Sequence, residues 1–135
     1  MLKQLTPTLW QANAEDARRI CSQTEQWKSM DIKGVICPAF NVRIPYDREL
    51  AALILPVWDD RPVPPEWFDM AVEFHKKFSP TLVHCFGGIN RSSAFALALM
   101  YKEGISIEAG YHKVNAKPWG EPLLESLHRW AATNK

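Results

Sequence analysis

The sequence predicts a single α/β domain over residues 1–135, a central mixed and mostly parallel sheet with helices on both faces. Three observations carry that expectation. Short apolar runs of strand length, KGVICPA (33–39), AALILPV (51–57) and TLVHC (81–85), alternate with segments of helical periodicity, as in a sheet covered on both sides. At 135 residues the chain is one domain long, and its 47% hydrophobic and 23% charged residues are ordinary for a globular protein. Nothing in it reads as a linker, an internal repeat or a low-complexity tract.

Taken in order, LTPTLWQAN (5–13) reads as a short first strand, and NAEDARRICSQTEQWKSM (13–30) as a helical segment with Asn13 as N-cap. The strand KGVICPA ends at a proline, and AALILPV leads into WDDRPVPP, a loop too rich in proline for regular structure. PEWFDMAVEFHKKF (65–78) predicts a helix with Trp67, Met70, Ala71, Phe74 and Phe78 on its core stripe. TLVHC is the next strand. RSSAFALALMYKEG (91–104) is a nearly all-apolar helix stopped by Gly104, and ISIEAGYHKVNA and PLLESLHRWAA are two further helices. The six tryptophans read mostly as core or helix-packing residues.

Composition narrows the function classes. No stretch has the length of a membrane span, and the N-terminus lacks the apolar centre of a secretory signal. A net charge of +1 supplies no field for gripping nucleic acid, although a local basic pocket remains open. The three cysteines, Cys21, Cys37 and Cys85, are odd in number and widely spaced, which points to the reducing cytoplasm and away from a disulfide framework. His75, His112 and His128 show no metal-ligand spacing and read as surface residues, as do Arg43, Arg48 and Arg61.

The stretch VHCFGGINRSS (83–93) carries the chemistry. It runs from strand through a tight loop into a helix, the place where ligands bind on such sheets. Glycines at 87 and 88 let the backbone curl around an anion, the helix start offers amide donors, and Arg91 is a planar fork for two phosphate oxygens. The same positive surroundings favour the thiolate of Cys85, making it a nucleophile. The lysine and spacing of the Walker loop are absent. An acid is needed to protonate a leaving oxygen, and Asp59 and Asp60 in WDDRPVPP are the candidates.

His84, Cys85, five residues, Arg91 and Ser92 form the signature of the cysteine-dependent phosphatases, and the chain most resembles the small dual-specificity phosphatases along nearly its whole length. The resemblance implies hydrolysis of phosphotyrosine monoesters, with phosphoserine and phosphothreonine as further substrates, through a phosphocysteine intermediate and without metal or cofactor. Cys85 is then the nucleophile. Phe86, Gly87, Gly88, Ile89, Asn90 and Arg91 bind the phosphate, and Ser92 helps release the thiolate from the intermediate. His84 orients the loop from beneath. In such families the acid lies three residues after a strand-ending proline with another proline three further on; Pro56, Asp59 and Pro62 fit, so Asp59 is the general acid and Asp60 the alternative. The implied partner is a phosphorylated protein or peptide.

Asn90 is a departure, since many members carry serine or glycine there. An asparagine resembles the RNA 5′-triphosphatase branch, which makes an RNA 5′ end the alternative substrate. Lysines typical of phosphoinositide-specific members are missing from FGGIN. A phospho-binding module without catalysis is the reading from another class. Cys37 ends a strand that parallel pairing delivers to the same sheet edge as Cys85. In the related phosphatases of regenerating liver and the phosphoinositide 3-phosphatase tumour suppressor, a cysteine so placed forms a reversible disulfide with the nucleophile, which makes Cys37 a candidate redox partner.

Overall fold

The structure, a computed structural model, describes residues 1–119 and 121–134. Its strands are β1 (Leu2–Thr6), β2 (Leu9–Ala12), β3 (Gly34–Pro38), β4 (Ala51–Leu55) and β5 (Thr81–His84). Its helices are α1 (Ala14–Cys21), α2 (Thr24–Ser29), α3 (Pro65–Phe78), α4 (Arg91–Lys102), α5 (Ile107–Tyr111) and α6 (Glu121–Thr133). The strands form one sheet in the order β1–β2–β5–β3–β4, antiparallel between β1 and β2 and parallel elsewhere, so the expected mixed, mostly parallel sheet is present. Parallel pairing brings the C-terminal ends of β2, β5 and β3 to one edge, with β5 in the middle. Among the described residues no helix is long and apolar enough to cross a membrane.

Helices cover both faces. α1 and α2 lay Ala17, Ile20 and Trp27 against Val35 and Leu82 on one face. On the other, Phe68, Phe95, Leu97, Leu123 and Trp130 pack with Leu9, Ile36 and Val83. Phe68 centres this second core, 4.7 Å from the Phe95 ring and 5.4 Å from the Trp130 ring. α4 is buried from Arg91 through Met100, which is why its sequence shows no polar face.

The structure corrects four readings of local sequence. The stretch 5–13 is two strands, because Thr6 and Thr8 turn the chain around Pro7, with the Thr8 N–H donating to Thr6 Oγ1 at 3.2 Å. The segment 13–30 is two helices that break at Ser22 and Gln23; Asn13 does cap the first, accepting from the Asp16 N–H at 2.9 Å. The segment 105–116 is helical only over α5. On α3 the buried stripe is Phe68, Ala71, Val72 and His75, one residue round from the expected one, which leaves Met70 47% exposed. Apolar residues lie on both sides of Ala71, so the period alone fits two stripes. Phe74 and Phe78, half-buried and 4.9 Å apart, instead close over Gly34, where a Cβ would meet Phe74 Cε1 at 2.8 Å.

His75 is therefore a core residue, contrary to its surface reading. Its Nε2 donates to Glu103 Oε1 at 2.8 Å, since a carboxylate only accepts, and its Nδ1 lies 2.9 Å from Thr81 Oγ1. Thr8 Oγ1 donates to the same carboxylate at 3.0 Å. This network ties α3, β5, the end of α4 and the β1–β2 turn together at the edge opposite the loop 85–90. His128, by contrast, is exposed beside Tyr111, and His112 is exposed.

Candidate active site

Cys85 follows β5 directly and sits at the centre of the sheet edge, between the ends of β2 and β3. The loop after it is held from behind. The Ala14 N–H donates to the Phe86 carbonyl at 3.0 Å, and Gln11 Nε2 donates to the Gly88 carbonyl at 3.2 Å. In a trans peptide the C=O and the next N–H point opposite ways, so the N–H groups of Gly87 and Ile89 face away from the scaffold. Gly88 makes the close approach possible. Its φ is 70°, and a Cβ there would lie 2.8 Å from Ala12 O and Asn13 N. Gly87 has no such constraint, with nothing within 4 Å of a Cβ, so of the two glycines only Gly88 is demanded by the backbone.

Gln11 is the hidden support of the loop. It is fully buried at the end of β2, and its Nε2 also lies 2.9 Å from both Ser92 Oγ and Ser93 Oγ. Its Oε1 accepts from the Asn115 N–H at 3.1 Å. Ser92 Oγ is 3.4 Å from Cys85 Sγ. With Gln11 already donating to that oxygen, the serine hydroxyl has its own hydrogen for a cysteine thiolate.

Arg91, 3% exposed, is fixed from the opposite wall. Its Nη1 donates to Asn41 Oδ1 at 2.8 Å and to the Val57 carbonyl at 3.1 Å, and its Nε lies 3.5 Å from Asp59 Oδ1. These contacts aim the guanidinium across the loop and join it to the segment carrying the acids. Asp59 lines the same depression as Cys85, Phe86, Gly87, Ile89, Asn90 and Arg91, a hollow of about 200 Å³ closed by Asn41 and Trp119. Asp60 is exposed and does not line it. The structure thus brings Cys85, Arg91, Ser92 and Asp59 together.

His84 lies wholly buried beneath the loop, as expected. Burial pulls its pKa down to about 4, so the ring is neutral. Its Nδ1 is 3.4 Å from the Cys85 carbonyl, which only accepts, so the proton is on Nδ1; Nε2 then accepts from the Tyr46 hydroxyl at 2.6 Å. Burial also pushes the Tyr46 hydroxyl well above its ordinary value, keeping it a donor. Cys37 packs in one small cluster with Cys85, Ala39 and Val42, on the same side of the sheet. Burial raises its thiol, as it raises that of Cys21, pushed up to about 12.

Sequence reasoning missed Gln11, Asn41, Tyr46 and two tryptophans. Trp58 and Trp119 are not core residues. Trp119 is 67% exposed at the rim, with Phe86 at 64%. Trp58 stacks on Phe40 with ring centroids 3.6 Å apart, and the Arg61 guanidinium sits 4.1 Å above its ring, so Arg61 is exposed but stacked. Arg43 and Arg48 are exposed as expected. Gln11 alone left a signal, a polar residue at the inward end of an apolar strand.

No family model matches the chain, and no curated protein sequence matches it. Solved structures do. Human DUSP28 superposes with a TM-score of 0.83 at 18% identity, covering 99% of this chain and 97% of that one. DUSP15 gives 0.79 at 21% identity, over 98% and 88% of the two chains. The human tyrosine phosphatase-like serine/threonine/tyrosine-interacting protein gives 0.78 at 22%, over 98% and 97%. At such identities the shared property is the backbone architecture, and it extends from end to end: the chain has the dual-specificity phosphatase fold.

Proposed function

We propose that this protein is a cysteine-dependent phosphatase that hydrolyses phosphotyrosine, and also phosphoserine and phosphothreonine, in proteins or peptides. The observation that carries the reading is the convergence of Cys85, Arg91 and Asp59 on one shallow hollow whose floor is a loop with its carbonyls turned back into the scaffold. In this mechanism the Cys85 thiolate attacks phosphorus in line. The loop amides and Arg91 hold the equatorial oxygens, so catalysis is positioning and charge stabilisation. Asp59 protonates the leaving oxygen, then as carboxylate takes a proton from the water that hydrolyses the phosphocysteine. Ser92 donates to the departing sulfur. The placement of Asp59 against Arg91, and of Asp60 outside the hollow, supports the first as acid.

The test is turnover of phosphotyrosine and phosphothreonine peptides, phosphoinositides and triphosphate-ended RNA by the wild type and by Cys85→Ser. Peptide turnover that disappears in the variant while vanadate binding persists is expected. Turnover only of the RNA shifts the reading to a 5′-triphosphatase, and binding without turnover in the wild type makes it a phospho-binding module.

Cys37 fits a protective role in the same reading. Peroxide oxidises the Cys85 thiolate to a sulfenic acid, and attack by Cys37 sulfur forms the disulfide and expels water; a dithiol reductant then restores both thiols. Their shared cluster supports this pairing. After peroxide and then reductant, wild-type activity should return while that of Cys37→Ser stays largely lost. Equal recovery in both removes Cys37 from this role.

A further inference from the structure

Asparagine is among the best helix N-caps, and Asn90 occupies the N-cap position of α4, yet its side chain makes no capping hydrogen bond. It reaches out of the loop instead. Its Oδ1 accepts from the Trp119 N–H at 2.8 Å, and its Nδ2 donates to Asp59 Oδ1 at 2.9 Å. The first bond fixes the second. A backbone N–H can only donate, so the oxygen end of the amide must face Trp119, which leaves the NH₂ end facing Asp59.

The consequence falls on the acid. Oδ1 of Asp59 faces two N–H donors, Asn90 Nδ2 at 2.9 Å and Arg91 Nε at 3.5 Å. An oxygen so engaged has no room for a proton of its own, because an O–H there would point at a donor. A protonated Asp59 therefore carries its hydrogen on Oδ2. Asp59 is also on a loop with its side chain 44% exposed, so little else holds it in place.

We propose that the Asn90 side chain is a positioning residue for the general acid: it clamps Asp59 through Oδ1, directs the transferable proton to Oδ2, and is itself oriented by Trp119. This rests on the phosphatase reading above, with Asp59 as acid. Asn90 touches neither the phosphorus nor the leaving oxygen in this role; it acts through Asp59. Loss of the clamp should harm the step that needs a proton and spare the steps that need only the anion cradle.

The experiment compares Asn90→Ser and Asn90→Ala with the wild type, each alone and combined with Asp59→Asn. The substrates are phenyl phosphate, whose leaving group requires protonation, and 2,4-dinitrophenyl phosphate, whose leaving group departs as the anion. Vanadate binding reports the cradle. The clamp predicts a loss of kcat on phenyl phosphate of about 10²-fold. Turnover of 2,4-dinitrophenyl phosphate and vanadate affinity should stay within about threefold of wild type, and no further loss should appear in the Asp59→Asn background. Equal losses on both substrates, losses that multiply with those of Asp59→Asn, unchanged phenyl phosphate turnover, or failure of both variants to bind vanadate would each overturn the clamp while the phosphatase reading stands. A wild type that turns over neither substrate removes that reading and the clamp with it.

Discussion

Two buried histidines stand at opposite ends of β5, and they differ in the company they keep. His84, at the C-terminal end, meets a phenol and a carbonyl, and burial keeps it neutral. His75 packs beside Thr81 at the N-terminal end and meets a carboxylate, Glu103. The neutral ring supports the loop without adding a charge beneath Cys85. The carboxylate-bound ring fastens four segments where no chemistry is read. One edge of the sheet is organised around an anion still to arrive, the other around an ion-binding contact already made within the chain.

If that division holds, changes at the loop edge should cost turnover and changes at the far edge should cost stability. The largest test is Asp59→Asn, expected to lower kcat on poor leaving groups by about 10²–10⁴-fold with an unchanged melting temperature. Should Asp60→Asn show that pattern instead, the acid is the neighbouring residue. Gly88→Ala sharpens the comparison, because it changes only backbone at the loop edge. The new Cβ meets Ala12 O at 2.8 Å at a φ of 70°, so the loop must move, and turnover should fall by about 10²-fold with a stability loss of about 1–2 kcal/mol. Gly87→Ala should leave the melting temperature where it was. Normal kinetics in Gly88→Ala would mean that the tight loop is not required.

The smallest test uses pH. His84 moves from an ordinary value of 6.5 to about 4 on folding. Between those values the unfolded chain binds the proton and the folded one does not, so stability is full above pH 6.5 and falls as the pH drops toward 4. The loss amounts to roughly 3 kcal/mol at the acid end. His84→Gln should flatten that part of the curve, read from unfolding midpoints between pH 7 and 4.5. His75→Gln should instead lower stability at neutral pH by about 1–3 kcal/mol and leave kcat unchanged. An acid slope that survives in His84→Gln would assign it elsewhere.

What could be read from the sequence was whatever is local in the chain. Cys85 to Ser92 is one unbroken motif, and β3, β4, β5, α3 and α4 follow from apolar runs and periods with boundaries close to the observed ones. Asp59 was legible because its prolines are near it. The supports were not, because each is a meeting of distant segments: Arg91 with Asn41 across 50 residues, Tyr46 with His84 across 38, Gln11 with Gly88 across 77. A rim tryptophan and a core tryptophan are the same letter, and only packing separates Trp119 from Trp130. The misplaced stripe on α3 has the same origin, since two faces satisfied one period and the sheet chose between them.

Gln11 has a consequence for the order of events when the chain folds. Its hydrogen bonds join residue 11 to residue 115, and residue 11 to residues 88, 92 and 93. Contacts closing loops this long form late, because most of the chain must be ordered before they return their closure entropy. During refolding, helical content should therefore recover before the capacity to bind vanadate. A nascent chain would carry its cysteine in an unshaped loop until its last quarter had been made, so the chemistry would switch on only with the whole domain.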